Sequence, residues 1–319
     1  MNVEDAAYLS NVFVDAAMIV WAVTLAAFAA DLAFGSPVRT TTRVRAEVAV
    51  GSGGVDEVVV GDDAPEGASA PTSRWWGVGM GTLVLGTVIL GAGVVLRGIS
   101  AGRVPWGNMY EFAITGAFLV AVAFLLFMRR YDLRTFAVWV TGVLLLTVGL
   151  AVTVLYIPAA PLVPALRSPW LVIHVAAATL AAAFFTIGMV ATALYLVRDV
   201  ADRRGVTGGR FVSRLPDTAT LDRVSYRVIA FGFPIWTFAV VAGAIWAEYA
   251  WGRYWGWDPK ETWSLITWIV YAAYLHARTT AGWRGRRAAI ISLVAYSTLI
   301  FNFFGVNIVF VGLHSYGGV

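Results

Sequence analysis

Residues 251–268 read W-G-R-Y-W-G-W-D-P-K-E-T-W-S-L-I-T-W. The first eight of these residues, 251–258, form a tryptophan-rich loop, and an apolar segment follows it at once. Asp258, Pro259 and Glu261 have the types and spacing of an N-cap, a first-turn proline and an N3 glutamate. A helix is therefore predicted to begin at Pro259, with Asp258 acting mainly as its cap. The positive end of this helix, beside Lys260 and Arg253, is also a suitable place for a carboxylate ligand.

The density of tryptophan around this loop suggests a binding surface. Seven of the fourteen tryptophans fall in this part of the chain: Trp236, Trp246, Trp251, Trp255, Trp257, Trp263 and Trp268. Gly252 and Gly256 let the loop backbone approach a flat partner closely. Trp251, Trp255 and Trp257 offer rings that can stack on it. Two interpretations stay open here: a platform for a large planar ligand, and an aromatic belt at a membrane surface.

The composition indicates a membrane protein. Of the 319 residues, 59% are hydrophobic and 13% are charged, whereas a soluble domain carries about 25% charged residues. The chain contains no cysteine, which excludes disulfide exchange, thiolate metal sites and a CxxCH motif within it. Its net charge of +4 comes from arginines clustered between apolar runs. This distribution favours membrane-orientation signals over nucleic-acid binding.

Eight apolar segments are long enough to cross a membrane as helices, for which about 20 residues are needed. They are roughly Tyr8–Phe34, Trp75–Leu96, Tyr110–Met128, Thr135–Tyr156, Trp170–Val197, Val228–Trp246, Glu261–Ala277 and Ala288–Leu313. We therefore predict an all-α integral membrane fold, a polytopic bundle of about eight transmembrane helices. The tryptophan-rich loop then lies between the sixth and the seventh helix.

The arginines predict the orientation of this bundle. They are concentrated in the connections after the first, third, fifth and seventh segments, and the alternate connections hold few. By the positive-inside rule, the arginine-rich connections lie in the cytoplasm. Both termini and the tryptophan-rich loop are then extracytoplasmic, at the plasma membrane.

Four parts are predicted along the chain. Residues 1–34 form the first transmembrane helix. Residues 35–74, rich in Gly, Ser, Thr, Pro and acidic residues, form a disordered cytoplasmic insertion without chemistry of its own. Residues 75–168 hold transmembrane helices two to four. Residues 169–319 hold helices five to eight and the tryptophan-rich loop.

The three histidines are candidate metal ligands at different depths. His174 lies five residues into the fifth segment, near the outer surface, and His314 ends the eighth segment at a similar level. His276 is near the end of the seventh segment, roughly 25 Å from Pro259 at 1.5 Å per residue. His174 and His314 could therefore supply two axial ligands to one iron, while His276 would need a ligand from elsewhere. A structural role is the alternative for each.

A second polar cluster precedes the third segment and consists of Trp106, Asn108, Tyr110 and Glu111. An aromatic belt combined with a helix start is the simpler interpretation of this cluster. It could also line the same outer chamber as the tryptophan-rich loop.

These residues resemble a known family. The stretch at residues 251–258 resembles the WWD signature of heme-handling proteins in cytochrome c maturation. Within that superfamily the chain is most similar to the CcsA/ResC family, called CcsB in actinobacteria, the membrane subunit of the System II cytochrome c synthase. Y-L-H-A-R around His276, G-L-H-S-Y-G around His314 and N-M-Y-E-F at residues 108–112 also resemble this family. The shorter CcmC exporters and the longer CcmF proteins fit less well.

The resemblance implies a role for each motif residue. The motif that holds heme b at an outer site is matched by Trp251, Gly252, Trp255, Trp257 and Asp258. His174 and His314 match the two axial ligands of that heme. His276 matches a histidine of an inner heme site, whose second ligand belongs to a ResB-like partner subunit.

The implied function is to carry heme across the membrane and present it for thioether attachment to the CxxCH motif of apocytochrome c. Heme-ligating enzyme activity is expected only of the complex with the ResB-like subunit, and no catalytic residue is assigned within this chain. Thiol-reducing maturation proteins are possible further partners, and nucleic acid is not expected. Two alternatives remain: a heme exporter or chaperone that does not direct attachment, and an unrelated channel with a tryptophan belt.

Overall fold

The computed structural model describes residues 2–35, 73–129, 133–160, 166–206, 211–280 and 282–314. Within these ranges the chain is helical and contains no strand, so the predicted all-α class is confirmed. The predicted insertion lies outside the described residues except at its ends, Gly35, Ser73 and Arg74.

The helices follow one another along the chain with short connections between most of them. In order they are α1 Val3–Phe34, α2 Arg74–Ala101, α3 Met109–Met128, α4 Ala137–Thr153, α5 Pro169–Arg203, α6 Thr218–Trp251, α7 Pro259–Thr279, α8 Arg286–Ile300 and α9 Val306–Val309. Short 3-10 turns occupy Arg134–Phe136 and Val212–Arg214, and a π-helical turn at Phe301–Gly305 joins α8 to α9.

Seven helical stretches in the described part of the chain are long and apolar enough to cross a membrane, and they match seven of the predicted spans. The eighth, α7, is less apolar. At 21 residues it is still roughly 31 Å long, close to the thickness of a hydrocarbon layer. It runs antiparallel to α6, because Glu261 contacts Arg253 at one end and Arg278 contacts Asp222 at the other. The predicted polytopic bundle is confirmed.

The helices that border the site begin at capped residues. Asn108, Ser168 and Asp258 precede α3, α5 and α7, and each side chain accepts a hydrogen bond from a backbone N–H of the first turn. Pro259 fills the first position of α7, where the helix needs no N–H. The capping box predicted at Asp258 is confirmed, since Glu261 accepts the Asp258 N–H in return.

Apolar packing holds the two halves of the bundle together. Helix α1 packs on α2 and α5 packs on α6, while α3 contacts α2, α4 and α5. A second core joins α5 to α7, where the rings of Phe185 and Tyr271 are stacked with centroids 3.9 Å apart. Helices α3, α5, α6 and α7 are thereby fixed around a common space.

The two ends of the bundle differ in composition. At one end Arg134 pairs with Asp31 and Arg278 pairs with Asp222, and we call this the arginine-rich end. At the other end the starts of α3, α5 and α7 meet the ends of α6 and α9, and we call this the tryptophan-rich end. Arginines that are distant in sequence therefore meet at one end. The side of the membrane that this end faces stays a prediction.

The last helix ends earlier than predicted. The sequence predicts a span that reaches Leu313, with His314 at its end, whereas α9 ends at Val309 and Phe310 is extended. The tail then folds back onto the start of α7, where the Leu313 N–H donates to Asp258. Gly312 permits this approach, because a Cβ there would lie 2.6 Å from Asp258 Oδ2.

Candidate functional site

A cavity of about 290 Å³ lies at the tryptophan-rich end, between the starts of α3, α5 and α7 and the ends of α6, α8 and α9. Its walls are mostly apolar and aromatic. The polar side chains that line it include His174, His314, Lys260, Glu261, Asn302 and Asn307. An apolar interior with a few convergent polar groups is typical of a small-molecule site.

His174 lies in the second turn of α5 and is held in place by α6. Its Nδ1 is 2.7 Å from the carbonyl oxygen of Ala239, so the Nδ1–H donates to that oxygen. The ring is also stacked on Trp246, with centroids 6.1 Å apart and planes 12° apart. Gly243 makes room for it, because a Cβ there would lie 2.7 Å from Nδ1. With Nδ1 occupied, Nε2 is the nitrogen left for a metal.

His314 is held by the cap of α7. Its Nδ1 is 2.7 Å from Oδ1 of Asp258, and the carboxylate accepts a hydrogen bond from the Nδ1–H. The ring makes edge contacts with Trp246 and Trp251, at centroid distances of 5.4 and 5.0 Å. Here too, Nε2 is the nitrogen left for a metal.

Trp246 joins the two histidines. It is buried, stacks on His174 and makes an edge contact with His314. The structure thus brings together two imidazoles that are 140 residues apart in sequence, and both line one cavity. Histidines that bind metals through Nε2 usually donate a hydrogen bond from Nδ1–H to an oxygen acceptor.

Asp258 has more contacts than a helix cap needs. It accepts hydrogen bonds from His314, from the Leu313 N–H at 2.7 Å and from the Lys260 N–H at 3.1 Å. Burial alone would raise the pKa of this carboxyl. The hydrogen bond and charge of His314, with the two backbone N–H groups, lower the pKa below its usual value. The carboxylate is therefore ionised at neutral pH and orients His314.

The loop between α6 and α7, residues 252–258, is braced by the helix that follows it; we call it the α7 entry loop. Glu261 accepts hydrogen bonds from Arg253 at 2.9 Å and from the Gly256 N–H at 2.8 Å. The Arg253 guanidinium lies over Gly256, in the space that a Cβ would fill. The loop conformation thus depends on Glu261, to which the sequence assigned only the N3 position.

The connection before α3, residues 102–108, is built in a similar way, and we call it the α3 entry loop. Glu111 accepts from Arg103 at 2.6 Å, from Arg97 at 3.1 Å and from the Gly107 N–H at 2.8 Å. Trp106 of this loop lines the cavity. The suggestion that this cluster borders the same chamber is confirmed for Trp106 and Asn108, whereas Glu111 is fully buried in its ion pairs.

The residues of the tryptophan motif take different positions. Trp251 and Trp255 line the cavity. Gly252 ends α6 with φ 69°, a left-handed conformation for which glycine is suited. Trp257 is 69% exposed and lies outside the cavity lining, and Asp258 lies behind His314.

His276 is far from the cavity. It lies exposed in the last turn of α7, at the arginine-rich end, where its Nδ1 is 3.4 Å from the Thr280 hydroxyl. The predicted separation of this histidine from the other two is therefore confirmed, and its role stays a prediction.

Two site residues were not predicted, Trp246 as a residue that touches both histidines and Asn302. Lys260 was placed beside a possible carboxylate site, but the sequence did not show that its side chain lines the cavity. Trp246 was counted among the aromatic residues, but nothing in the sequence shows that it touches both histidines. Asn302 lies in the π-helical turn, donates to Ser264 at 3.0 Å and has a buried Oδ1 without a partner in the described part of the chain. A π-helical turn often marks a functional site.

Fold and site together define a class, namely polytopic all-α membrane proteins with a histidine pair and a tryptophan-rich loop at one end. The family follows from comparison with known proteins. Residues 106–314 match the family model described as "Cytochrome C assembly protein", and this range contains the whole site. The chain belongs to this cytochrome c assembly family.

Several curated relatives carry the name cytochrome c biogenesis protein CcsA. The one from Guillardia theta is 38% identical over 265 residues, which is 75% of this chain and 85% of that protein. The one from Synechococcus sp. (strain CC9902) is 37% identical, with 74% and 85% covered. That from Crocosphaera subtropica is 35% identical, with 79% and 91% covered. The resemblance to the CcsA family is confirmed.

A solved structure shares the fold. Cytochrome c Heme Lyase CcmF matches 94% of this chain with a TM-score of 0.64 and 15% sequence identity. Only 46% of CcmF is covered, so this chain spans about half of its length.

Proposed function

We propose that this chain binds heme b at the tryptophan-rich end through His174 and His314 and presents it for attachment to apocytochrome c. One observation carries the proposal: two histidines line one aromatic cavity, and the Nδ1–H of each donates a hydrogen bond to an oxygen. Membership of the cytochrome c assembly family and the names of the relatives support it.

The side chains fit heme on chemical grounds. Neutral imidazole bound through Nε2 is a normal axial ligand of heme iron, and an acceptor on Nδ1–H fixes its tautomer and raises its basicity. Trp246 and Trp251 pack around the histidines, and such rings suit a flat macrocycle. Two histidine ligands fill both axial positions of the iron. This favours holding heme over oxygen chemistry.

Attachment requires no nucleophile from this chain. Each thiol of a CxxCH segment adds across one vinyl double bond of heme, so that sulfur bonds to one vinyl carbon and the proton passes to the other. The chain has no cysteine, and both thiols therefore come from apocytochrome c. The residues of this chain contribute by fixing the position and orientation of the heme, and such effects supply a large part of many rate enhancements.

His276 we assign to a second heme position at the arginine-rich end. The chain has three histidines, and the other two lie at the opposite end. The second ligand for His276 would therefore come from a partner membrane subunit, of the ResB type. In this proposal heme enters from the cytoplasm and moves outward, and the tryptophan-rich end is extracytoplasmic at the plasma membrane, in keeping with the arginine distribution.

The test is to co-express the chain with its ResB-like subunit and a reporter apocytochrome c. In complexes that also carry His276→Ala, which removes the second heme position, His174→Ala and His314→Ala should each lower the retained heme about tenfold. In complexes that keep His276, each substitution should lower the yield of holocytochrome to a similar extent. Added imidazole should restore part of the heme, because it can fill the space left by the ring. Heme content is measured from the absorption spectrum of the pyridine adduct of the heme.

Arg223→Met, at an exposed position near the arginine-rich end, is the control and should leave both readouts unchanged. Normal heme content and normal attachment in either histidine variant would overturn the outer site. Heme binding by the wild-type complex without any attachment to the reporter would favour an exporter or chaperone.

A further inference from the structure

Lys260 is unusual in both sequence and structure. Of the 23 lysines and arginines of the chain, 22 are arginine and Lys260 is the one lysine. It lies in the first turn of α7, and its side chain lines the cavity. Its Nζ is 3.4 Å from the carbonyl oxygen of Phe303 and 5.7 Å from the centroid of the Phe303 ring.

In the described part of the chain, no carboxylate lies within ion-pair distance of this ammonium group, although Asp258 is near enough to interact with its charge. The two nearby carboxylates are engaged elsewhere, since Asp258 pairs with His314 and Glu261 pairs with Arg253. A lysine ammonium has three donors, and one long hydrogen bond leaves at least two of them unused. Burying such a charge in a largely apolar space is costly unless an anion joins it.

A second unmatched donor lines the same cavity. The indole Nε1 of Trp106 is buried, and no described residue accepts its hydrogen. A buried N–H without an acceptor is rare in folded proteins and calls for an explanation. Two unused donors in one cavity indicate a ligand that carries acceptor oxygens.

Arg253 does not share this role, although the sequence places it beside Lys260 at the start of α7. Its guanidinium lies over Gly256 and donates to both oxygens of Glu261. A ligand carboxylate would have to displace that ion pair. Lys260 is therefore the one cation lining the cavity in the part of the chain that the structure describes.

We propose that Lys260 binds a propionate carboxylate of the heme and thereby fixes which edge of the macrocycle points into the bundle. This inference rests on the proposed function. Phe303, against which the ammonium lies, precedes the end of α9 by six residues and is roughly 9 Å further inward. Heme carries its vinyl groups on the half opposite its propionates, so a propionate held inward turns the vinyl groups toward the α7 entry loop.

Lys260 is thus a positioning residue that brings the reacting edge to the place where apocytochrome c arrives. The probes for the test are heme and its dimethyl ester, which keeps the iron and the vinyl groups but has no carboxylate charge. We expect the wild-type complex to bind heme about tenfold more tightly than the ester. Lys260→Met should bind both with equal affinity, and Lys260→Arg should keep part of the preference.

In the His276→Ala background and at saturating heme, Lys260→Met should retain the absorption spectrum of two histidine ligands, which shows that the site is folded. Arg223→Met removes one positive charge at the opposite end of the bundle and should keep the wild-type preference. A second measurement uses the single lysine: an amine-acylating reagent should modify Lys260 in the heme-free complex. Heme should protect it, as followed by mass spectrometry of the fragment that contains it, and the ester should not.

Equal affinity of the wild-type complex for heme and its ester would overturn the assignment of Lys260 and leave the proposed function intact. The same holds if Lys260→Met keeps the wild-type preference, or if both compounds protect Lys260 equally. Failure of the wild-type complex to bind either compound would instead overturn the proposed function, and this inference with it.

Discussion

The α3 entry loop and the α7 entry loop are built on the same plan. In each, the N3 glutamate of the following helix accepts the N–H of a loop glycine and pairs with a loop arginine. They differ in how the charges are buried. Glu111 is fully buried and also pairs with Arg97, which is fully buried itself, whereas the Arg253 side chain that pairs with Glu261 is 29% exposed.

The helix caps differ as well. Asn108 accepts the N–H of Glu111, whereas Asp258 caps α7 and also accepts hydrogen bonds from His314 and from the Leu313 N–H. One plan therefore serves two purposes. At α3 it closes a wall of the cavity with a buried ion network, and at α7 it orients a candidate iron ligand. Substitutions in the α3 entry loop should therefore lower the free energy of unfolding. Substitutions around the α7 entry loop should mainly lower the heme content of the complex.

The largest effect on stability is expected at Glu111, and Glu261 is its matched comparison in the α7 entry loop. Glu111→Gln leaves Arg97 buried without a full counter-charge and should lower the free energy of unfolding by about 3–5 kcal/mol. Glu261→Gln should cost only about 1 kcal/mol, because Arg253 keeps access to solvent. Thermal unfolding of the detergent-solubilised protein, followed by tryptophan fluorescence, measures both. Equal losses of stability would break the distinction between the loops.

Gly312→Ala should lower the heme content of the complex strongly and its free energy of unfolding only slightly. The new Cβ would lie 2.6 Å from Asp258 Oδ2 and should push the His314 segment away from α7. Heme retained by the purified complex in the His276→Ala background should fall about tenfold. Gly149→Ala is the matched control, since a Cβ there meets nothing within 4 Å. Full heme content in the Gly312→Ala complex would show that the tail does not need this contact.

Asp258→Asn tests the carboxylate itself. Its pKa is lowered in the folded protein, so its stabilising contribution is complete above the ordinary carboxyl pKa of about 4. That contribution is lost as the pH falls through the lower folded-state value. We expect the heme-free wild-type protein to be more stable than Asp258→Asn at neutral pH and the two stabilities to converge in acid. A stability difference that does not change with pH would contradict this.

The smallest effect is expected within the α7 entry loop, at Trp257. Because it is 69% exposed and outside the cavity lining, Trp257→Ala should change the heme content less than about twofold. Trp251→Ala should lower it several-fold, since that ring contacts His314. Heme content per protein, measured side by side, decides this. A larger loss of heme in Trp257→Ala than in Trp251→Ala would show that heme binds at the outer face of the loop instead.

Much of the fold could be predicted from the sequence. An apolar segment of sufficient length indicates a membrane helix almost independently of the segments around it. The depth of each histidine was accessible for a related reason: a helix rises 1.5 Å per residue. This placed His174 at the tryptophan-rich end and His276 at the other. The path of residues 310–314 could not be predicted, since the return of His314 to Asp258 depends on a contact across 56 residues.

The direction of side chains around the α7 entry loop could not be predicted from the sequence either. Trp251 at the end of α6 and Trp255 in the loop line the cavity, whereas Trp257 does not. The backbone angles of the loop decide where the rings of Trp255 and Trp257 point. Trp257, for example, has φ 59°. Lys260 did carry a signal, as the one lysine of the chain. Its orientation into the cavity required the structure.

Ligation of one heme iron by both histidines is tested most directly by resonance Raman spectroscopy of the heme-loaded complex in a His276→Ala background, which removes the proposed second heme. In that background the protein with His174 and His314 intact should show a six-coordinate, low-spin iron with two imidazole ligands. His174→Ala and His314→Ala should each give a five-coordinate iron that returns to the six-coordinate form when imidazole is added. An unchanged six-coordinate spectrum in either variant without imidazole would contradict the assignment of that histidine.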